Sequence, residues 1–253
     1  MDPLLGPALL LALWGAVVSL DERGLFLGGF AHPLIAGSTA GWLAGEPWVG
    51  LWTGFLFQAI WPARVESGGN VPPAGGLAAV GATAVAVALG VPTLAPGGPW
   101  LAAALLPENE SLHGGFWLAI VMIGLALALA ARAWEKALRG RNLRRERAAL
   151  AGPEDRLGRA VGSALLEAGG RGAILVALPM LIAGGLRDTL GMRSPLTSEW
   201  LDAAAAWMVP AFLALGLGGV AWTLRRPARA AILDWVLGAA AGTVAAVVWE
   251  QLR

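Results

Sequence analysis

The chain has no cysteine, no tyrosine and only two histidines among its 253 residues, and just 14% of them are charged. Without cysteine there is no disulfide framework, zinc–cysteine site, iron–sulfur cluster or thiol nucleophile, and the redox compartment is left open. His32 and His113 cannot assemble a metal cluster with carboxylates this scattered. No HExxH pair, GxSxG elbow or GxxxxGK[ST] phosphate loop is present. The expectation is therefore no metal, no cofactor and no enzymatic active site. The charged share is about half of the roughly 25% usual in soluble domains. Against these absences stand a hydrophobic share of 57%, 36 glycines, 16 prolines and 13 tryptophans, with a mean hydropathy of +0.65. A soluble fold of this length cannot hide that much apolar surface behind so few charges. The composition defines an integral, all-α polytopic membrane protein.

Residues 4–20, 24–45, 112–131 and 203–224 carry no charge over 17, 22, 20 and 22 residues, and 230–249 resembles them apart from Asp234. Each approaches or meets the ~20 residues that cross a ~30 Å hydrocarbon layer as a helix. Residues 172–186, with 15 uncharged positions, fall short and must thin the bilayer or borrow polar flanks. The first stretch lacks a basic leader and a small-x-small cleavage site, and is read as a retained span rather than a signal peptide. Residues 47–62 are short for a simple span, while 71–107 are uncharged but broken by six prolines. Between them lies a polar, glycine- and proline-rich loop that includes Glu66 and Asn70. Such backbone is tolerated at membrane depth only where protein covers it or water lines it. The region 47–90 reads as one or two re-entrant hairpins, with two ordinary spans and an external loop as the alternative. The expected total is about six to eight transmembrane helices.

Ten of the 18 basic residues fall in 132–171, and Arg225, Arg226 and Arg229 lie between the last two spans. The positive-inside rule puts both loops in the cytoplasm and the C-terminus outside. The expected organisation is an N-terminal membrane half (1–131), a basic cytoplasmic loop of amphipathic helical character (132–171), and C-terminal membrane helices (172–253). With five acidic residues interspersed, the basic loop reads as a membrane anchor in contact with anionic lipid, not as a nucleic-acid site.

Polar groups at membrane depth are candidate functional residues. Here they are His32, Gln58, Glu66, Asn70 and Asp234, with Asp21 and Glu22 closing the first span. An amide offers a sugar hydroxyl both donors and an acceptor. Trp52 and Trp61 flank Gln58, where they can cover sugar C–H faces or serve as interfacial anchors. Asp234 sits close enough to a span end to be structural. Gly37, Gly41 and Gly45 recur every fourth residue, a face along which two helices can approach closely.

Several of these positions fall in a recognisable pattern. Ser19-Leu-Asp-Glu22, Pro33-Leu-Ile-Ala-Gly37, Gly41-Trp-Leu-Ala-Gly-Glu46, residues 54–61 and Gly68-Gly-Asn-Val-Pro-Pro-Ala-Gly-Gly-Leu-Ala-Ala-Val80 together resemble the IIC membrane subunit of the mannose/fructose/sorbose family of the bacterial sugar phosphotransferase system (PTS). Residues 33–80 lie on the family pattern without a gap. The resemblance implies an inner-membrane subunit that forms a hexose-type sugar pathway with a IID subunit, moving by an elevator-like shift. Cytoplasmic IIA and IIB units would carry the phosphohistidines, so the chain itself would be a transporter subunit and not an enzyme. Homo-oligomerisation is a further option. Gln58, Glu66 and Asn70 would line the sugar site, supported by His32, Asp21 and Glu22. Two positions depart from the family. Glutamate is common where this chain has Gln58, and an acid is common where it has Ala74. Each missing carboxylate removes a charged acceptor worth about 1.5–3 kcal/mol. That departure motivates two alternatives, a non-transporting paralogue with a regulatory or scaffolding role and a small-solute permease independent of phosphotransfer.

Overall fold

The structure is a computed structural model and describes residues 4–23, 25, 28–61, 73–90, 114–151 and 155–190. Among these residues it is all-α, with six helices: α1 (Leu5–Asp21), α2 (Pro33–Leu43), α3 (Pro47–Ile60), α4 (Gly75–Leu89), α5 (Gly114–Leu150) and α6 (Asp155–Leu190). The expected spans at 203–224 and 230–249, together with Asp234, Glu66 and Asn70, lie outside the described residues.

The helix ends follow from local chemistry. Proline opens both α2 and α3 at the first turn, where its fixed φ suits the helix and its missing N–H costs nothing. Gly45, at φ +79°, ends α2. The Gly45 N–H donates to the Trp42 carbonyl and the Glu46 N–H to the Gly41 carbonyl, the paired bonds of a Schellman motif. α3 stops at Trp61, which precedes a proline and has left the helical region (φ −126°, ψ 69°). α4 ends on Gly90 in the left-handed conformation. Arg187 of α6 reaches the Ala88 carbonyl there (3.3 Å), bringing a cation to the negative end of the helix.

α4 is the hub. It packs against α1, α2, α3, α5 and α6, and all of its residues but Val87 and Leu89 are buried. Its sequence of glycine, alanine, valine and threonine is apolar on every face, as a helix enclosed on every side requires. One core cluster joins it to α1, α2 and α6 through Leu11, Val18, Ala36, Leu77, Val80, Val176 and Met180. A second joins it to α3 and α5 through Val49, Leu56, Phe57, Trp117 and Ile120. Within that second region the hydroxyls of Thr53 and Thr83 bond each other across the α3–α4 contact.

Small residues set the closest approaches. Gly37 and Gly41 of α2 lie directly on Gly54 and Gly50 of α3, where an added Cβ would sit 2.6–2.8 Å from backbone atoms. Gly45 corrects the expected third member of that face. It lies beyond α2 in the turn, with open space where a Cβ would be. Gly15 of α1 and Gly172 of α6 make a comparable backbone contact.

The uncharged stretch 24–45 does not form one span. Its helix begins only at Pro33 and runs 11 residues, about 16 Å at ~1.5 Å per residue. α3 and α4, at 14 and 15 residues, also fall short of a ~30 Å crossing. By contrast, the described residues of the basic stretch 132–171 are helical apart from residue 151. Residues 132–150 and 155–171 belong to the adjoining parts of α5 and α6, which run 37 and 36 residues. Within α6, Arg156–Thr189 is the one described helix long and apolar enough to cross a membrane. It runs straight through Arg171, where charge counting ends the span, because that charge is matched by partners inside the protein. On the outer surface, Leu5, Leu9 and Leu13 of α1 are 55, 64 and 58% exposed, an apolar stripe suited to lipid or to further apolar helices.

Candidate functional site

Three helix ends converge around Gln58. Its side-chain oxygen accepts the Leu34 N–H in the first turn of α2 (3.5 Å), and its amide nitrogen donates to the Trp61 carbonyl (3.5 Å). Gln58, half-buried near the end of α3, therefore touches the start of α2 and the residue at which α3 stops. α4 begins at the same place. A Cβ on Gly75 would lie 2.9 Å from the Pro33 ring and 3.1 Å from the Trp61 indole, and Gly76 packs on the Ala31 carbonyl. Trp61 stacks on Phe57 with centroids 5.8 Å apart and planes 15° apart. The N-termini of α2 and α4 carry no side-chain cap in the ordinary sense: their cap residues, His32 and Ala74, make no side-chain bond to the helix. Helix N-termini of this kind present N–H donors and a positive dipole end to electron-rich ligand atoms.

His32 is exposed at this junction and its N–H closes the turn on Gly29 (3.0 Å). Trp52, expected beside Gln58, packs edge-to-face on Phe55 (5.6 Å, 85°) and against the α3–α4–α5 core. Asp21 and Glu22 are engaged with the protein itself. Asp21 is 8% exposed and accepts two backbone bonds, from the Gly28 N–H (2.9 Å) and the Ala31 N–H (2.8 Å). It holds the turn that leads into α2. Glu22 pairs with Arg171 (3.0 Å).

That last pair opens onto a feature not expected from the sequence. The Arg171 side chain is 1% exposed and also binds Glu135 of α5 (2.7 Å), while its Nε and Nη2 donate to the Ser19 hydroxyl (3.2 and 2.8 Å). Ser19 in turn donates to the Ala168 carbonyl (2.7 Å). Arg23 reaches the same Glu135 oxygen (2.8 Å), and Arg139 reaches the other (3.1 Å). Burial alone would raise the Glu135 carboxyl, but the hydrogen bonds from Arg23 and Arg139 and the charges of Arg171 and Arg23 outweigh it and hold it below the usual carboxylate range. The sequence did carry a signal: three consecutive charges, Asp21, Glu22 and Arg23, directly ending an uncharged helix need partners nearby. Among the described residues no group of three or more His, Asp or Glu could hold a metal ion.

Short helices whose ends meet around an amide are an arrangement of membrane transport proteins, where broken helices build substrate sites. Residues 5–133, just over half of the chain, match the family described as PTS system sorbose-specific IIC component. The chain belongs to that family, whose members are transport components of the bacterial inner membrane. The matched region covers α1 to α4, the junction at Gln58 and the first half of α5. Comparison with curated proteins gives no match.

Proposed function

We propose that this chain forms the sugar pathway of a phosphotransferase system together with a IID-like membrane subunit, and that cytoplasmic IIA and IIB units phosphorylate the emerging hexose-type sugar. Family membership is the observation that carries the reading, and the junction at Gln58 gives it a place. The amide supplies a donor and an acceptor to sugar hydroxyls, and Trp61 offers an apolar ring. Glu66 and Asn70 are assigned to the same site because they belong to the segment that connects Trp61 to α4. His32 borders it, whereas Asp21 and Glu22 support it from behind. The basic ends of α5 and α6 are assigned to the cytoplasm by the positive-inside rule, with the C-terminus outside. Gln58→Ala should weaken sugar binding about ten- to hundredfold, the loss of two hydrogen bonds, with assembly of the membrane complex unchanged. Wild-type uptake by that variant would remove Gln58 from the site.

One observation favours a second reading, a IIC-type chain that scaffolds or regulates without transporting. Ala74 is 3% exposed and occupies the cap position of α4 without a cap bond, where an acidic side chain would both cap the helix and face the junction. Under this reading the full complex takes up no sugar, and the double substitution Gln58→Glu with Ala74→Asp restores uptake. Uptake by the unaltered complex excludes it.

A further inference from the structure

We infer that Arg171 is a positioning residue for the sugar end of α2, acting through the last turn of α1. The inference rests on the sugar-pathway reading above. Arg171 touches no residue of the junction at Gln58, yet a continuous chain of bonds leads there. Its guanidinium holds Ser19 of α1 and Glu22 at its C-cap (2.8 and 3.0 Å) and Glu135 of α5 (2.7 Å). Arg23 fastens the same end of α1 to Glu135 and to the Ala164 carbonyl of α6 (2.8 and 3.4 Å). Asp21, the residue before Glu22, grips Gly28 and Ala31 instead. Ala31 directly precedes His32 and Pro33, and its carbonyl carries Gly76 of α4. Past the His32 N–H, which bonds Gly29, and Pro33, which has none, the Leu34 N–H is the one that meets Gln58.

Three consecutive residues thus join two bodies, the long α5–α6 pair on one side and the start of α2 on the other. The planar guanidinium spreads four hydrogen bonds over Ser19, Glu22 and Glu135, whereas an ammonium at position 171 has three donors on a single nitrogen. A latch at this place sets how α2 begins, and therefore where the Leu34 N–H and the Gln58 amide stand relative to a sugar.

The test uses the complete complex in membranes, with Glu22→Gln, which keeps the acceptor and removes its charge, and with Asp21→Asn. Positioning predicts near-normal insertion, a thermal midpoint lowered less than in Arg171→Ala, a KM for sugar raised about five- to tenfold, the loss of one well-placed hydrogen bond, and an unchanged kcat. Since both residues act in series, the double variant should be no worse than Asp21→Asn alone. Wild-type KM in both single variants, or effects that multiply in the double, would overturn the inference. A second readout does not depend on sugar. The chain has no cysteine, so a nitroxide on Ile35→Cys, a position 43% exposed, reports the start of α2 alone. Its mobility should rise in Glu22→Gln and in Arg171→Lys, with Glu22→Gln deciding if the latter does not insert. Unchanged mobility would overturn the positioning role. Absent sugar uptake in the wild type, with the mobility change present, would overturn only the transport reading.

Discussion

Arg171→Ala is expected to cost about 3–5 kcal/mol of stability, the scale for removing one partner of a buried ion pair. The substitution takes a buried cation away from Glu135 and Glu22, both 9% exposed at the side chain, leaves Glu135 to Arg23 and Arg139 alone, and leaves the Ser19 hydroxyl short of two donors. The thermal midpoint of the purified protein in detergent measures the loss. Arg145→Ala is the contrast: its 2.6 Å pair with Glu167 is 42 and 26% exposed and is worth about 0–1 kcal/mol. Because the Glu135 carboxyl is held below its ordinary value, its stabilisation is complete above the unfolded-state value and is lost as pH falls through the folded one. Acidification should therefore reproduce part of the Arg171→Ala effect in the wild type and add less to the variant. Equal midpoints for Arg171→Ala and Arg145→Ala would contradict the assignment of Arg171 as a buried partner.

Gly50→Ala should be nearly as damaging, at about 3 kcal/mol, the upper part of the range for overpacking. A Cβ at this position would meet the Gly37 carbonyl and lie 2.5 and 2.6 Å from the Gly41 Cα and N. These are backbone atoms, so no side-chain rotation relieves the clash, and α2 must move off α3. Since Gln58 of α3 contacts Leu34 of α2, the same displacement opens the sugar junction and lowers transport along with stability. Gly140→Ala lies in helix α5 with open space around it and should stabilise by up to about 1 kcal/mol through helix propensity. The two alanine variants, compared by thermal unfolding, should thus move in opposite directions. A shift of the same sign would contradict the α2–α3 packing.

Composition alone made the all-α membrane class legible, and the glycine spacing made one helix contact legible, because both are statements about which side chains are missing. Gly37 and Gly41 show this well, since a close approach needs only that a Cβ be absent. Gly45 shows where such reasoning stops: the same spacing continues past the helix end, and the left-handed turn, not the face, claims that glycine. The interruption before Pro33 was hidden for a related reason. Residues 24–45 are uncharged throughout, but Asp21, outside the stretch, binds Gly28 and Ala31 and turns the chain. Arg171 was the larger omission. Counting charges along one segment treats each as exposed to the bilayer, whereas Glu22 and Glu135, 149 and 36 residues away, neutralise it in three dimensions. Gln58 and His32 were legible as polar groups in an apolar setting, but their meeting with the starts of α2 and α4 required the fold.

The account is tested most directly by phosphoenolpyruvate-driven uptake of radiolabelled sorbose, fructose and mannose into membrane vesicles of the host, prepared with and without this chain and supplied with the soluble phosphotransfer units. A sugar-pathway subunit predicts that at least one of these sugars accumulates as its phosphate only when the chain is present. Accumulation that is unaffected by removing the chain, or that delivers free sugar without phosphoenolpyruvate, would contradict it.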